Sequence, residues 1–262
     1  MGILNITPDS FSDGGLRFDA VRAVEDGLRM LEQGADIVDV GGESTRPGAE
    51  SVAADEELRR VLPVVERLAE RGAIVSIDTS KAVVAREAIA RGAAIVNDVH
   101  ALNADPQLAA VVAESGAAVV LMHNRGDSRE MYRKAVYGDA AREVALELSA
   151  AIGAAIDGGI ARGSIIIDPG IGFAKQPAHS YDVLARLDEL RALDRPILSG
   201  PSRKSFLTGA LGERAAGERE WGTAAAVAAS VLLGAHIVRV HAVPEMADVI
   251  RVADRIRDSL RP

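Results

Sequence analysis

The chain has 262 residues, 48% hydrophobic but only 3% aromatic, so Ala, Val, Ile and Leu must fill the core of what its length predicts as one domain over 1–262. A net charge of −8 argues against a general nucleic-acid surface, which needs a basic stripe, although a local basic pocket can still take a small anion. The absence of Cys excludes disulfides, thiolate metal sites and Cys nucleophiles and fits a reducing, cytoplasmic setting, and no apolar run approaches the ~20 residues of a membrane span.

In chain order, MGILN at 1–5 reads as the first strand. Met1 falls inside it with no signal peptide before it, so either the strand starts abruptly or a short leader precedes it. A loop dense in Ser, Asp and Gly follows over 7–19, then a helix over 19–33. From there one junction recurs six times: a helix-like segment, Gly, Ala or Ser, and a short β-rich run. The junctions are Gly34-Ala35, Gly72-Ala73, Gly92-Ala93, Gly116-Ala117, Gly163-Ser164 and Gly234-Ala235. The runs are IVDV, IVSID, AIVND, AVVLMH, IIID and HIVRVH. Gly ends a helix in the left-handed conformation, and a short apolar run between helices reads as a parallel strand buried on both faces. A seventh strand, Pro196-Ile197-Leu198-Ser199, is entered through Asp194-Arg195-Pro196 instead. Helices are predicted over 55–71, 81–91, 106–115, 139–157, 179–190, 223–233 and 244–260. Thr79 and Ser80 supply N-cap oxygens before Lys81, and Pro106 and Pro244 suit a first helical turn. Long excursions follow strand five (124–138) and strand seven (204–220, with helical turns). Eight strands and eight helical segments predict a single (β/α)8 TIM barrel. The alternative is an open doubly wound sheet, against which the eightfold count and unbroken composition weigh.

The polar residues at the strand ends carry the chemistry, because such ends converge on the active face of a barrel. Asp78, Asn97 and Asp168 supply acceptors and one amide donor. That set suits a flat heterocycle with an amidine-like edge, or less well a metal; each Asp alone could be only a helix cap. Arg239 and His241 share one side of the last strand and form an anion clamp. Lys204 follows strand seven in Gly-Pro-Ser-Arg-Lys-Ser. If Ser202 opens a helix, its N–H groups would favour a carboxylate or phosphate there; otherwise Arg203 and Lys204 are solvated charges. Asn5 could tie down the next loop or offer its carbonyl oxygen to Mg²⁺. The loops over 7–19 and 41–51 read as mobile active-site loops. Gly170-Ile171-Gly172 starts like a dinucleotide fingerprint, but Lys175 stands where the third Gly belongs. His179 and His236 read as structural or surface residues, and His123, at a strand end, has no obvious ligand partners.

These stretches together resemble the dihydropteroate synthase family: MGILNITPDSFSDGG at 1–15, DVGGESTRPGA at 39–49, SIDTSK at 76–81, IVNDV at 95–99, LMH at 121–123, DPGIGFAK at 168–175, SRKSFL at 202–207 and RVH at 239–241. They span nearly the whole chain in family order. Ala174 and His100 depart from the family's frequent residues. The resemblance implies a cytoplasmic, homodimeric transferase of folate synthesis, taking 6-hydroxymethyl-7,8-dihydropterin diphosphate and 4-aminobenzoate to 7,8-dihydropteroate and diphosphate with Mg²⁺. It implies that Asp78, Asn97, Asp168 and Lys204 hold the pterin, with Met122 in the same pocket, and that Arg239 stacks on it while reaching the diphosphate. Asn5, Thr45 and His241 would bind Mg²⁺-diphosphate, Asn5 as the metal ligand. Phe11, Pro47, Phe173, Lys204 and Ser202 would form the aminobenzoate pocket. Asp13 and Arg46 would lie on closing loops, and Asp13, Lys204, Arg239 and His241 would act in catalysis. The rivals are a pterin-binding methyltransferase barrel, which needs no anion clamp, and an inactive pterin-binding scaffold, which would lose loop residues such as Asp13 or Arg46.

Overall fold

Six strands run parallel in sequence order: β1 (Gly2–Asn5), β2 (Ile37–Gly41), β3 (Ile74–Asp78), β4 (Ala93–Asp98), β5 (Ala118–Met122) and β6 (Ile165–Asp168). Two shorter strands, β7 (Leu198–Ser199) and β8 (Ile237–Val238), pair with each other. Bridges from Ile167 to Ile197 and from Gly2 to Val240 join both seams, so the sheet closes into a barrel. At the second seam, Ile3 N–H donates to Val240 O and Val240 N–H to Met1 O, each at 3.0 Å. This is a computed structural model, and it describes residues 1–6, 16–44, 51–126 and 133–260.

Helices follow the strands: α1 (Leu16–Glu32), α2 (Ala54–Glu70), α3 (Ala82–Ala90), α4 (Leu108–Ser115), α5 (Ala140–Asp157), α6 (Pro177–Ala185), a short α7 (Thr208–Leu211), α8 (Glu220–Leu232) and α9 (Val243–Ser259). Their sequence logic is plain in α2. Asp55, Glu56 and Glu57 face the positive end of the helix dipole, while Val61, Val64, Val65 and Leu68 form one buried stripe. Burying each such side chain stabilises the fold by roughly 1.5–3 kcal/mol.

Strand alternation makes two cores. Outward residues such as Val38, Val40, Ile77, Val96, Leu121 and Ile167 join the helix stripes in the main cluster. Inward residues Ile95, Val120, Ile166 and Leu198, with Met1, fill the lower barrel, flanked by Ile37, Ala118 and Ile237.

Five expected glycine junctions have positive φ: Gly34, Gly72, Gly92, Gly116 and Gly234. The sixth is displaced. Gly163 lies inside a 3-10 turn (Arg162–Ser164), and Gly159 takes the left-handed conformation instead, at φ +89°. Asp194 supplies that bend before β7 at φ +53°, a conformation its short polar side chain tolerates. The expected capping of α3 holds in part. Thr79 Oγ1 accepts from the Lys81 N–H at 3.3 Å, but Ser80 donates to Asp98, and the Ala82 N–H is capped from the neighbouring unit by Asp105 Oδ2 at 2.8 Å. Helical turns occupy the excursion after β7, as expected.

Candidate active site

The mouth is built one step above the inner core, on the same inward-facing parity. Asp39 follows Ile37, Asn97 follows Ile95, Met122 follows Val120, Asp168 follows Ile166, and Arg239 follows Ile237. The register carries Asn5 to Gly41, Gly41 to Asp78 and Asp78 to Asn97. Asp168 pairs instead with Met122. That drift along the ladder is the stagger of a tilted barrel.

Arg239 crosses this mouth. Its Nε donates to Asp39 Oδ2 at 2.6 Å and its Nη2 to Asp78 Oδ2 at 2.7 Å. Asn97 Nδ2 also donates to Asp39 Oδ2, at 3.0 Å. Asp39, fully buried, is therefore the hub of the site, where the sequence expectations give it only a polar strand end and no binding role. Its signal was present: a lone acid within IVDV, at the inward parity set by Ile37. Burial raises Asp78 to about 7 against the pull of Arg239, with Asp39 adding to the rise. Burial likewise raises Asp168, opposed by Lys204 and the Gly170 N–H, which donates to Asp168 Oδ1 at 2.7 Å. Asp168 thus serves both as a turn cap and as a wall of the mouth. Asp98 caps the turn beside Asn97, accepting from His100 N–H at 3.0 Å and from Leu102 N–H. Asp78 Oδ1, Asn97 Oδ1 and Asp168 Oδ2 accept no hydrogen bond among the described residues, on side chains that are themselves buried.

The opposite wall is cationic and aromatic. Lys204 Nζ donates to Ile171 O at 2.5 Å and lies 4.4 Å from the Phe173 ring centroid. Burial lowers its pKa to about 8, with Asp168 opposing. Ser202 does not open a helix: the next helical turn starts at Ser205, and Ser202 Oγ instead pairs with His241 Nδ1 at 2.9 Å. Arg203, at φ +59°, turns away to Glu220. Of the expected pair of basic residues, only Lys204 reaches the mouth. Arg239 is matched by two carboxylates rather than standing open beside His241.

Asn5 is half-buried at the end of β1, and its amide makes no hydrogen bond among the described residues. No cluster of three metal-ligating His, Cys, Asp or Glu side chains occurs among them. Mg²⁺ keeps most of its waters and takes only one or two protein oxygens. The Asn5 carbonyl oxygen fits such an ion, and a closed protein cage is absent among the described residues. Phe11, Asp13, Thr45, Arg46 and Pro47, and most of the two loops expected to be mobile, lie outside the described residues.

His123, at the end of β5, hydrogen-bonds Glu147 Oε2 at 3.0 Å and Lys175 Nζ at 2.9 Å. His179 helps cap α6, and His236 Nδ1 accepts from the Ile197 N–H at 3.1 Å, so both are structural as expected. Gly170 and Gly172 serve no dinucleotide fingerprint; their turn presents Ile171 O to Lys204.

A closed parallel barrel with acceptors on one wall of its mouth and cations on the other defines an enzyme for a small, flat, polar substrate. The pterin binding enzyme family model matches residues 1–241. Dihydropteroate synthase of Mycobacterium leprae is 49% identical over 258 residues, covering 96% of this chain and 91% of that protein. The Xanthomonas albilineans dihydropteroate synthase structure with 4-aminobenzoic acid superposes with a TM-score of 0.92 at 42% identity, covering 100% of this chain and 93% of that one. Its complex with 7,8-dihydropteroate gives 0.89 at 40% identity, covering 100% and 94%. The chain belongs to the pterin-binding enzymes, among the dihydropteroate synthases. These are transferases of folate synthesis.

Proposed function

We infer that the enzyme joins 6-hydroxymethyl-7,8-dihydropterin diphosphate to 4-aminobenzoate, giving 7,8-dihydropteroate and diphosphate. The observation that carries this is the trio of open acceptors, Asp78 Oδ1, Asn97 Oδ1 and Asp168 Oδ2, facing one mouth with Lys204 and Arg239. A pterin edge bears ring N–H and amino donors, which need that many acceptors. The planar face of the Arg239 guanidinium, fixed by Asp39 and Asp78, suits stacking on the pterin ring.

The chemistry divides into two steps. The methylene carbon–oxygen bond breaks, its electron pair leaving with the diphosphate, and a cation delocalised into the pterin remains. The amine lone pair of 4-aminobenzoate then attacks that carbon, and the nitrogen loses a proton. Arg239 and His241 stabilise the departing charge electrostatically, and no protein nucleophile takes part. Asn5 would hold Mg²⁺, which when bound neutralises charge on the diphosphate, and Thr45 and His241 would bind that Mg²⁺-diphosphate with it. Lys204, Phe173 and Ser202 supply the wall for 4-aminobenzoate, with Phe11 and Pro47 from the loops; Asp13 would steady the cation, and Arg46 would close over it. Met122 is the apolar floor, only 3% exposed. The chain would act as one barrel domain. The lack of Cys supports a cytoplasmic setting, and the exposed Trp221 indole supports a second copy as partner.

The test is to measure diphosphate release from the pterin diphosphate with and without 4-aminobenzoate. Dihydropteroate should form only when both substrates are present. Diphosphate release without any dihydropteroate when both substrates are present would sink the proposal.

A further inference from the structure

The loop after β6 is built around the lysine that ends it. Lys175 is 1% exposed and is among the largest fully buried side chains. A buried ammonium has three donors, and each must find an acceptor. Nζ finds His123 Nδ1 at 2.9 Å, Gly170 O at 3.1 Å and Phe173 O at 3.1 Å. Because Nδ1 accepts, the network assigns the His123 proton to Nε2, which donates to Glu147 Oε2. Glu147 also takes Arg125, whose guanidinium lies 3.9 Å from the Tyr137 ring centroid. The Tyr137 hydroxyl returns to the loop, donating to Ala174 O at 2.8 Å.

Backbone geometry shows what this network sustains. Gly170, Gly172 and Ala174 all have positive φ, at +66°, +79° and +46°. Ala174 has no glycine freedom and persists there only because its surroundings over-determine it. At Gly170 a Cβ would sit 2.0 Å from His123 O, so no other residue fits. The reward for this tight path appears at its outer edge. Ile171 O accepts from Lys204 Nζ, and the Phe173 ring flanks the same ammonium. Lys175 touches no open part of the mouth, yet it holds the carbonyls on either side of the two groups that seat Lys204.

We propose that Lys175 is a positioning residue for the reaction: by tying the Gly170 and Phe173 carbonyls it sets Ile171 and Phe173 to hold Lys204 at the pterin site. This rests on the function inferred above. A double-mutant cycle tests it, with calorimetric binding of 6-hydroxymethyl-7,8-dihydropterin lacking the diphosphate and parallel kcat and KM values. Lys204→Met should weaken pterin binding about 30-fold and Lys175→Met about tenfold, while the double variant stays near 30-fold instead of the roughly 300-fold product. Lys175→Gln keeps a donor for the carbonyls and should lose only about threefold. A purely structural role would lower Tm and leave the two losses additive. Additive losses, or wild-type affinity in Lys175→Met, would overturn the proposal. If Lys175→Met fails to fold, Lys175→Gln with Lys204→Met completes the same cycle, read the same way. A wild-type enzyme that ignores the pterin would instead overturn the function itself.

Discussion

The lower barrel interior and the mouth above it are both buried and share the same strands, yet their chemistry is opposite. Ile95, Val120, Ile166 and Leu198 pack below with no polar atom to satisfy. Two residues beyond Ile95, Ile37 and Ile237, the side chains of Asn97, Asp39 and Arg239 are bound into one polar network, and Asp168, two beyond Ile166, accepts from the Gly170 N–H. Burial alone does not separate residues that stabilise from residues that react. The apolar layer contributes stability by area, whereas a buried ion pair largely offsets its own desolvation and is weak support for a fold. The mouth is kept for what it binds.

Four measurements would break or sharpen that contrast. Arg239→Ala removes the charge at the centre of the mouth and should cost about 4 kcal/mol in transition-state stabilisation. Near-normal turnover would end its assignment. Asp168→Asn keeps shape but can turn an acceptor into a donor, and should weaken pterin binding by about 3 kcal/mol with little change in Tm. Unchanged affinity by calorimetry would reduce Asp168 to its cap of Gly170. Leu198→Ala, in the lower layer, should reverse the pattern: about 2.5 kcal/mol of unfolding free energy lost, with pterin affinity retained in the folded protein. Denaturant titration beside calorimetry decides it, and an affinity loss at full folding would show that the layers are coupled.

The smallest effect concerns pH. Burial holds the neutral form of His123, lowering its pKa to about 4 from 6.5. Below 6.5 the unfolded chain takes a proton that the folded one refuses, so His123 withdraws stability as pH falls from 6.5 toward 4. Asp78, raised to about 7, acts in the opposite sense over much of that range. The informative quantity is therefore the difference between wild type and His123→Gln. It should move about 1–2 kcal/mol in favour of the variant between pH 7 and pH 5. A difference independent of pH would mean His123 is not held neutral.

Much of this was legible in the chain. Gly34, Gly72, Gly92, Gly116 and Gly234 announce helix ends because the left-handed bend favours glycine. Period-two alternation then locates the inward residues. What resisted reading depends on contacts distant in sequence. Asp39 looks like an interruption of a strand until Arg239 and Asn97 arrive beside it. Lys175 looks like a failed glycine motif until His123, 52 residues earlier, supplies its third acceptor. Ser80 looks like a cap because Asp105, which caps the Ala82 N–H, lies in the next unit. The Gly163 junction fails for a local reason: a tandem Gly158-Gly159 ends the helix four residues sooner.

The Arg239 bridge also dictates when a working enzyme can first exist during synthesis. Its partners are 200 and 161 residues earlier in the chain, on β2 and β3. Those strands leave the ribosome long before β8 does and must wait with two carboxylates unmatched. A nascent chain can build most of its helices and the first six strands yet still lack the cation that completes its mouth. Ligand recognition is thus among the last properties the growing polypeptide acquires, and the contacts it awaits are among the longest-range in the molecule, the kind that form slowly.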